Sequence, residues 1–134
     1  MNVEELYPSR TLEEDELRRA LAFTFHMLPE EVAVVEEFSG DEDFNVLKLV
    51  CQFEEIQGSY KMKLQIFGLN LKDQELFTDL VKKFAKHIKS ECLIPDGDSL
   101  SPFDMIRITP EGELREVRLS VKAFENESFE LEAG

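Results

Sequence analysis

The chain has 134 residues and a mass of 15.5 kDa, the size of one domain on a scale of roughly 100–200 residues per domain. Its 29 Asp and Glu outnumber 15 Lys and Arg, giving a formal net charge of −14 and a pI near 4.5. A surface this negative repels the phosphates of nucleic acids and of anionic membranes, and favours a basic protein partner or simply solubility.

Met1 to Glu5 has neither the basic start nor the apolar run of a secretory signal. No stretch approaches the roughly 20 apolar residues of a membrane span. Cys51 and Cys92 both lie inside apolar runs, as reduced core thiols do. A single cytoplasmic α+β domain over residues 1–134, with an acidic tail from about residue 125, is the expectation.

Thr11-Leu12-Glu13-Glu14 has the form of a capping box and predicts a helix running to about Leu28, before Pro29. Leu17, Leu21, Thr24, Phe25 and Leu28 share one face at helical spacing. Ala20 to Leu28 is apolar at seven of nine positions, so Phe23 and Met27 fall off that stripe. Either a second layer covers them or they contact a partner, a second copy of the chain included. Val32 to Phe38 predicts a short strand and Ser39 to Asp43 a turn. Phe44 to Phe53 and Tyr60 to Phe67 alternate with period two, as half-buried strands do. Leu76, Phe77, Leu80, Val81, Phe84 and Ile88 make one apolar stripe on a second helix, about Leu71 to Lys89, with Lys82, Lys86 and Lys89 opposite it. Cys92 to Ile94 predicts a short strand and Pro95 to Pro102 a loop. Asp104–Thr109 and Leu114–Phe124 flank Pro110-Glu111-Gly112-Glu113 as a hairpin, and Ser128–Leu131 forms at most one last short strand. Consecutive strands imply antiparallel pairing. The expected fold is a two-layer α+β domain, an antiparallel sheet of five to six strands with two helices on one face, in the order α-β-β-β-α-β-β.

Divided along the chain, the charge is uneven. Residues 1–60 hold 15 acids and 4 bases, residues 61–124 hold 10 acids and 11 bases, and residues 125–134 hold 4 acids and no base. The densest piece carries Glu30, Glu31, Glu36, Glu37, Asp41, Glu42 and Asp43 without a Lys or Arg. Such a run is either a solvated face or a docking surface that steers a cationic partner.

Chemistry-bearing motifs are sparse. No phosphate-binding glycine loop, H-E-x-x-H or C-x-x-C occurs, and neither a cofactor nor a metal is expected. His26 is expected at the surface or at a partner contact. His87 and Cys92 offer a nucleophile–base pair without an orienting third group. Asp96-Gly97-Asp98 begins like a calcium loop, but Leu100, Ser101 and Arg107 stand where that loop needs an oxygen ligand, glycine and glutamate.

A short, acidic α+β chain with this element order resembles the bacterial immunity proteins that neutralise secreted toxins, often basic nucleases. Through Lys89 the order is also similar to that of the class I chaperones of type III secretion, which are homodimers holding an effector segment. The first resemblance implies a non-enzymatic inhibitor acting through its carboxylates. The second implies a dimer using apolar surface around Phe23 and Met27.

Overall fold

The computed structural model describes residues 3–37, 46–69 and 74–132 of the chain. Strand β1 (Val3–Pro8) is followed by helix α1 (Glu14–Thr24), a 3-10 turn at Pro29–Glu31 and β2 (Val32–Val35). Next come β3 (Leu49–Glu55), β4 (Gln57–Gly58), β5 (Met62–Phe67), helix α2 (Gln74–Ile88) and β6 (Cys92–Pro95). The chain continues through β7 (Asp104–Ile108), β8 (Leu114–Arg118), helix α3 (Val121–Glu125) and β9 (Ser128–Phe129). The fold is α+β. Among the described residues it has a seven-stranded mixed sheet, ordered β2-β3-β5-β1-β6-β7-β8, and a small β4-β9 ribbon.

Alternation along the strands builds the main core. Val32, Leu49, Cys51, Leu6, Leu64, Ile66, Cys92, Ile94 and Ile108 are buried toward the helices, where Leu17, Leu21, Phe77, Val81, Phe84 and Ile88 meet them. The opposite face carries a second core of Tyr7, Tyr60, Leu93, Met105 and Leu119. The C-terminal segment covers it: Phe129 stacks on Tyr7 at 5.0 Å, and Phe124 meets Phe103 and Phe129 edge-on. The acidic residues from 125 to 132 are thus folded back over the sheet. Gly58 (φ 114°) permits this closure, because a Cβ there would lie 2.3 Å from the Phe129 carbonyl oxygen.

Several expectations need correction. The sheet has seven strands rather than five or six, because Val-Glu-Glu-Leu-Tyr-Pro forms β1 in its middle, antiparallel to β5 and β6. The chain order therefore starts with a strand. The sheet is mixed, since β2 runs parallel to β3, Val32 opposite Leu49. Residues 36–48 separate these strands, a connection long enough to carry the chain back to the same end. Helix α1 starts at Glu14 and the Thr11 hydroxyl does not cap it; Glu13 is the N-cap, without a side-chain bond. The helix ends at Thr24 rather than Leu28. His26 enters the left-handed region (φ 55°) and the Met27 N–H donates to the Ala22 carbonyl at 3.0 Å, a Schellman closure with histidine in the glycine position. The second hairpin strand stops at Arg118. The Ser120 hydroxyl accepts from the Ala123 N–H at 3.1 Å and starts α3. Leu76 of the α2 stripe is 45 % exposed. Among the described residues no helix is long and apolar enough to cross a membrane.

Candidate protein-binding surface

The acidic candidates sit around β2, an edge strand of the sheet. Pro29 presets the dihedral of the 3-10 turn, which places Glu30 in solvent and turns Glu31 inward. The Glu31 carboxylate accepts the Leu28 N–H at 2.8 Å and pairs with the Lys48 ammonium at 2.8 Å. The bond to Lys48, then that to Leu28, hold it below the usual carboxylate range. Glu31 therefore fastens the turn to the start of β3, where the Lys48 N–H also donates to the Glu31 carbonyl.

Glu36 and Glu37 lie just past β2, exposed and without an ion pair to a described residue. The strand holds them roughly 15 Å from Glu30, at about 3.3 Å per residue. Exposed acids thus flank both ends of β2 rather than forming one cluster. Asp41, Glu42 and Asp43 lie outside the described residues.

Beside the β2 edge runs a cleft of about 570 Å³ between α1 and the 3-10 turn, lined by Asp15, Arg18, Arg19, Glu30, Val32 and Val34. Asp15 pairs with Arg19 at 3.0 Å and lies 3.7 Å from Arg18. These α1 residues complete the surface and were missing from the sequence candidates. Their i,i+3 and i,i+4 spacing was visible, but their proximity to β2 was not.

Phe23 is 52 % exposed, and its neighbours are polar. The His87 ring stacks on it at 4.6 Å, and the Lys83 ammonium sits 4.7 Å from its centroid. Lys83 also lies 3.0 Å from His26 Nε2. Met27 is partly buried and packs on the main core. His87 and Cys92 do not form a nucleophile–base pair. His87 is exposed on Phe23, whereas Cys92 is fully buried and burial pushes its thiol up. Cys51 and Cys92 are both free.

The Asp96 loop is closed by its own bonds: the Asp98 N–H donates to the Asp96 carboxylate at 3.1 Å and the Ser99 hydroxyl to Asp104. Among the described residues no group of three or more His, Cys, Asp or Glu is placed to hold a metal ion. The β2 surface offers a carboxylate-flanked edge beside a cleft that also holds Arg18 and Arg19, and its exposed acids can attract a cationic protein surface. No protein-family model, curated protein or solved structure matches the chain.

Proposed function

We propose that the chain is a non-enzymatic protein-binding module of immunity type, which neutralises a basic toxin by occluding its cationic active site. The observation that supports this reading is the placement of Glu30, Glu36 and Glu37, solvent-facing and without an ion pair to a described residue, at both ends of β2. The field of these exposed carboxylates raises the encounter rate with a cationic partner. On this reading the protein works in the bacterial cytoplasm, where its two thiols stay reduced.

The test is co-expression with the protein encoded by the neighbouring gene. The expected result is relief of that protein's toxicity and a stoichiometric complex. Its association rate at low salt should fall by about tenfold or more when Glu30, Glu36 and Glu37 are all changed to Lys. An association rate and salt dependence that the triple change leaves intact would overturn the reading. The alternative, a dimeric secretion-type chaperone, relies on apolar surface at Phe23 and Met27. The Lys83 ammonium over Phe23, the His87 ring stacked on it and the packing of Met27 on the core favour the first reading.

A further inference from the structure

The opposite edge of the sheet has a different character. Every other strand of the seven-stranded sheet has buried side chains. In β8, Leu114, Arg115, Glu116 and Arg118 are exposed and only Val117 is partly covered. This strand contributes almost nothing to either core, so hydrophobic burial does not account for its place in the sheet.

The ladder identifies the backbone groups that β8 leaves open. The Leu119 N–H donates to the Phe103 carbonyl at 2.8 Å and the Thr109 N–H to the Glu113 carbonyl at 3.0 Å. Hydrogen-bonded pairs alternate in an antiparallel ladder. Arg115 and Val117 therefore direct their N–H and C=O groups to β7, while Leu114, Glu116 and Arg118 direct theirs outward. The C-terminal segment takes one end of this edge. Leu131 pairs antiparallel with Leu119, and the Glu132 N–H donates to the Arg118 carbonyl at 2.8 Å. Among the described residues nothing pairs with the outer side of Leu114 and Glu116.

The side chains supply a second observation. Arg107 and Arg115 stand directly opposite each other across the β7–β8 ladder, an arrangement of like charges that is destabilising. Glu91 balances Arg107 at 2.5 Å, but Arg115 has no ion pair with a described residue. Both line an open groove of about 540 Å³ beside the edge, together with Val117 and Leu131. Of the groove's acids, Asp104 and Glu132 lie within 3.8 Å of Arg118, and Asp96 and Glu116 remain. Where the chain supplies its own strand here, it places an acid, Glu132, across from an arginine, Arg118.

We propose that the edge of β8 left open among the described residues is a strand-addition site for an extended, carboxylate-bearing segment of a partner protein. The segment runs antiparallel to β8, with a carboxylate opposite Arg115. Backbone bonds to Leu114 and Glu116 supply affinity, and the arginine pair supplies selectivity for acid over base. This site lies at the far edge of the sheet from β2 and prefers the opposite charge, so it stands or falls independently of the toxin reading.

Fluorescence anisotropy of the full chain tests it, with a short labelled peptide of alternating Val and Glu and a matched peptide of Val and Lys. The Glu peptide is expected to bind and the Lys peptide not. Glu116→Pro removes an outward N–H without touching the β7 ladder, and Arg115→Gln removes the charge. Each should weaken binding by about tenfold or more, with the melting temperature and circular dichroism unchanged. Arg115→Gln alters no backbone bond and carries the test by itself if Glu116→Pro does not fold. Absence of binding up to about 1 mM, equal binding of the Lys peptide, or full binding by Arg115→Gln overturns the proposal. A dimer that Glu116→Pro dissociates assigns the edge to a second copy of the chain and likewise overturns it.

Discussion

Tyr7 and Tyr60 are the only tyrosines in the chain, and both rings are buried under the C-terminal segment, 4 % and 1 % exposed. Each hydroxyl donates to a carboxylate, Tyr7 to Glu5 at 2.6 Å and Tyr60 to Glu91 at 3.2 Å. Burial first, then these acids, push both phenols well above their ordinary 10.0. In the unfolded chain they lose their protons near pH 10, and in the folded chain they retain them. Their contribution to stability is therefore complete below about pH 10 and is lost as the pH rises toward the folded values. Tyrosinate absorbance is expected to appear only in step with the loss of circular dichroism as the pH is raised past 10. A tyrosine that ionised with its ordinary value in a fully folded protein would contradict the burial argument. The thiols follow the same logic: burial lifts Cys51 to about 12 and raises Cys92 as well, which disfavours both thiolates in the folded protein.

At the level of elements, the helix ends share one device. α1, α2 and α3 are each followed by a residue other than glycine in the left-handed region: His26 (φ 55°), Lys89 (φ 57°) and Glu127 (φ 61°). At the end of α2 the Ser90 N–H donates to the Ala85 carbonyl at 3.2 Å, again a Schellman closure. A side chain in that conformation costs roughly 1–2 kcal/mol that glycine avoids. Lys89 is exposed and makes no ion pair with a described residue, so Lys89→Gly should raise stability by about 1 kcal/mol, read from the urea midpoint. A lower midpoint would mean that the Lys89 side chain holds the helix end. The same device explains what the sequence left hidden. Without a glycine to mark the stop, the apolar run through Met27 and Leu28 read as helix. Elements with one clean period were legible, namely β5 and α2, since Met62, Leu64 and Ile66 alternate and Phe77, Val81, Phe84 and Ile88 repeat helically; β6 was legible as a short apolar run. β1 was not, because the two glutamates in Val-Glu-Glu-Leu-Tyr-Pro mask its apolar face; Glu4 lies opposite Ile66 at the rim of the core, and burial raises its carboxyl. At the candidate surface, the exposure of Glu30, Glu36 and Glu37 was legible from charge density. The engagement of Glu31 was not, since its partner Lys48 arrives only through the parallel pairing of β2 with β3.

For the whole molecule, the question is whether its charges attract or repel in sum. The ion pairs among the described residues all have at least one solvent-accessible partner, and pairs of that kind contribute about 0–1 kcal/mol each. Arg10 holds the Glu16 carboxyl below its usual range and Lys48 does the same for Glu31, so some local attraction exists. Against it stands a net charge of −14 on a chain of 134 residues. Fourteen uncompensated charges repel over the whole surface, and unfolding relieves that repulsion by letting them separate. Salt acts on both effects, but not equally. At about 0.1 M ionic strength the screening length is near 10 Å, longer than the 2.5–3.8 Å of the ion pairs and shorter than the span of the sheet. Added salt therefore removes the long-range repulsion before it removes the contact pairs. The melting temperature is expected to rise as NaCl increases from low millimolar to about 0.2 M, and KCl should act alike. A melting temperature that falls over that range would show that the Arg10–Glu16 and Lys48–Glu31 pairs outweigh the net charge, and that the acidic surface is internally compensated. An uncompensated surface is also the condition for steering a basic partner, so the same salt titration tests the electrostatic premise of the proposed function without the partner in hand.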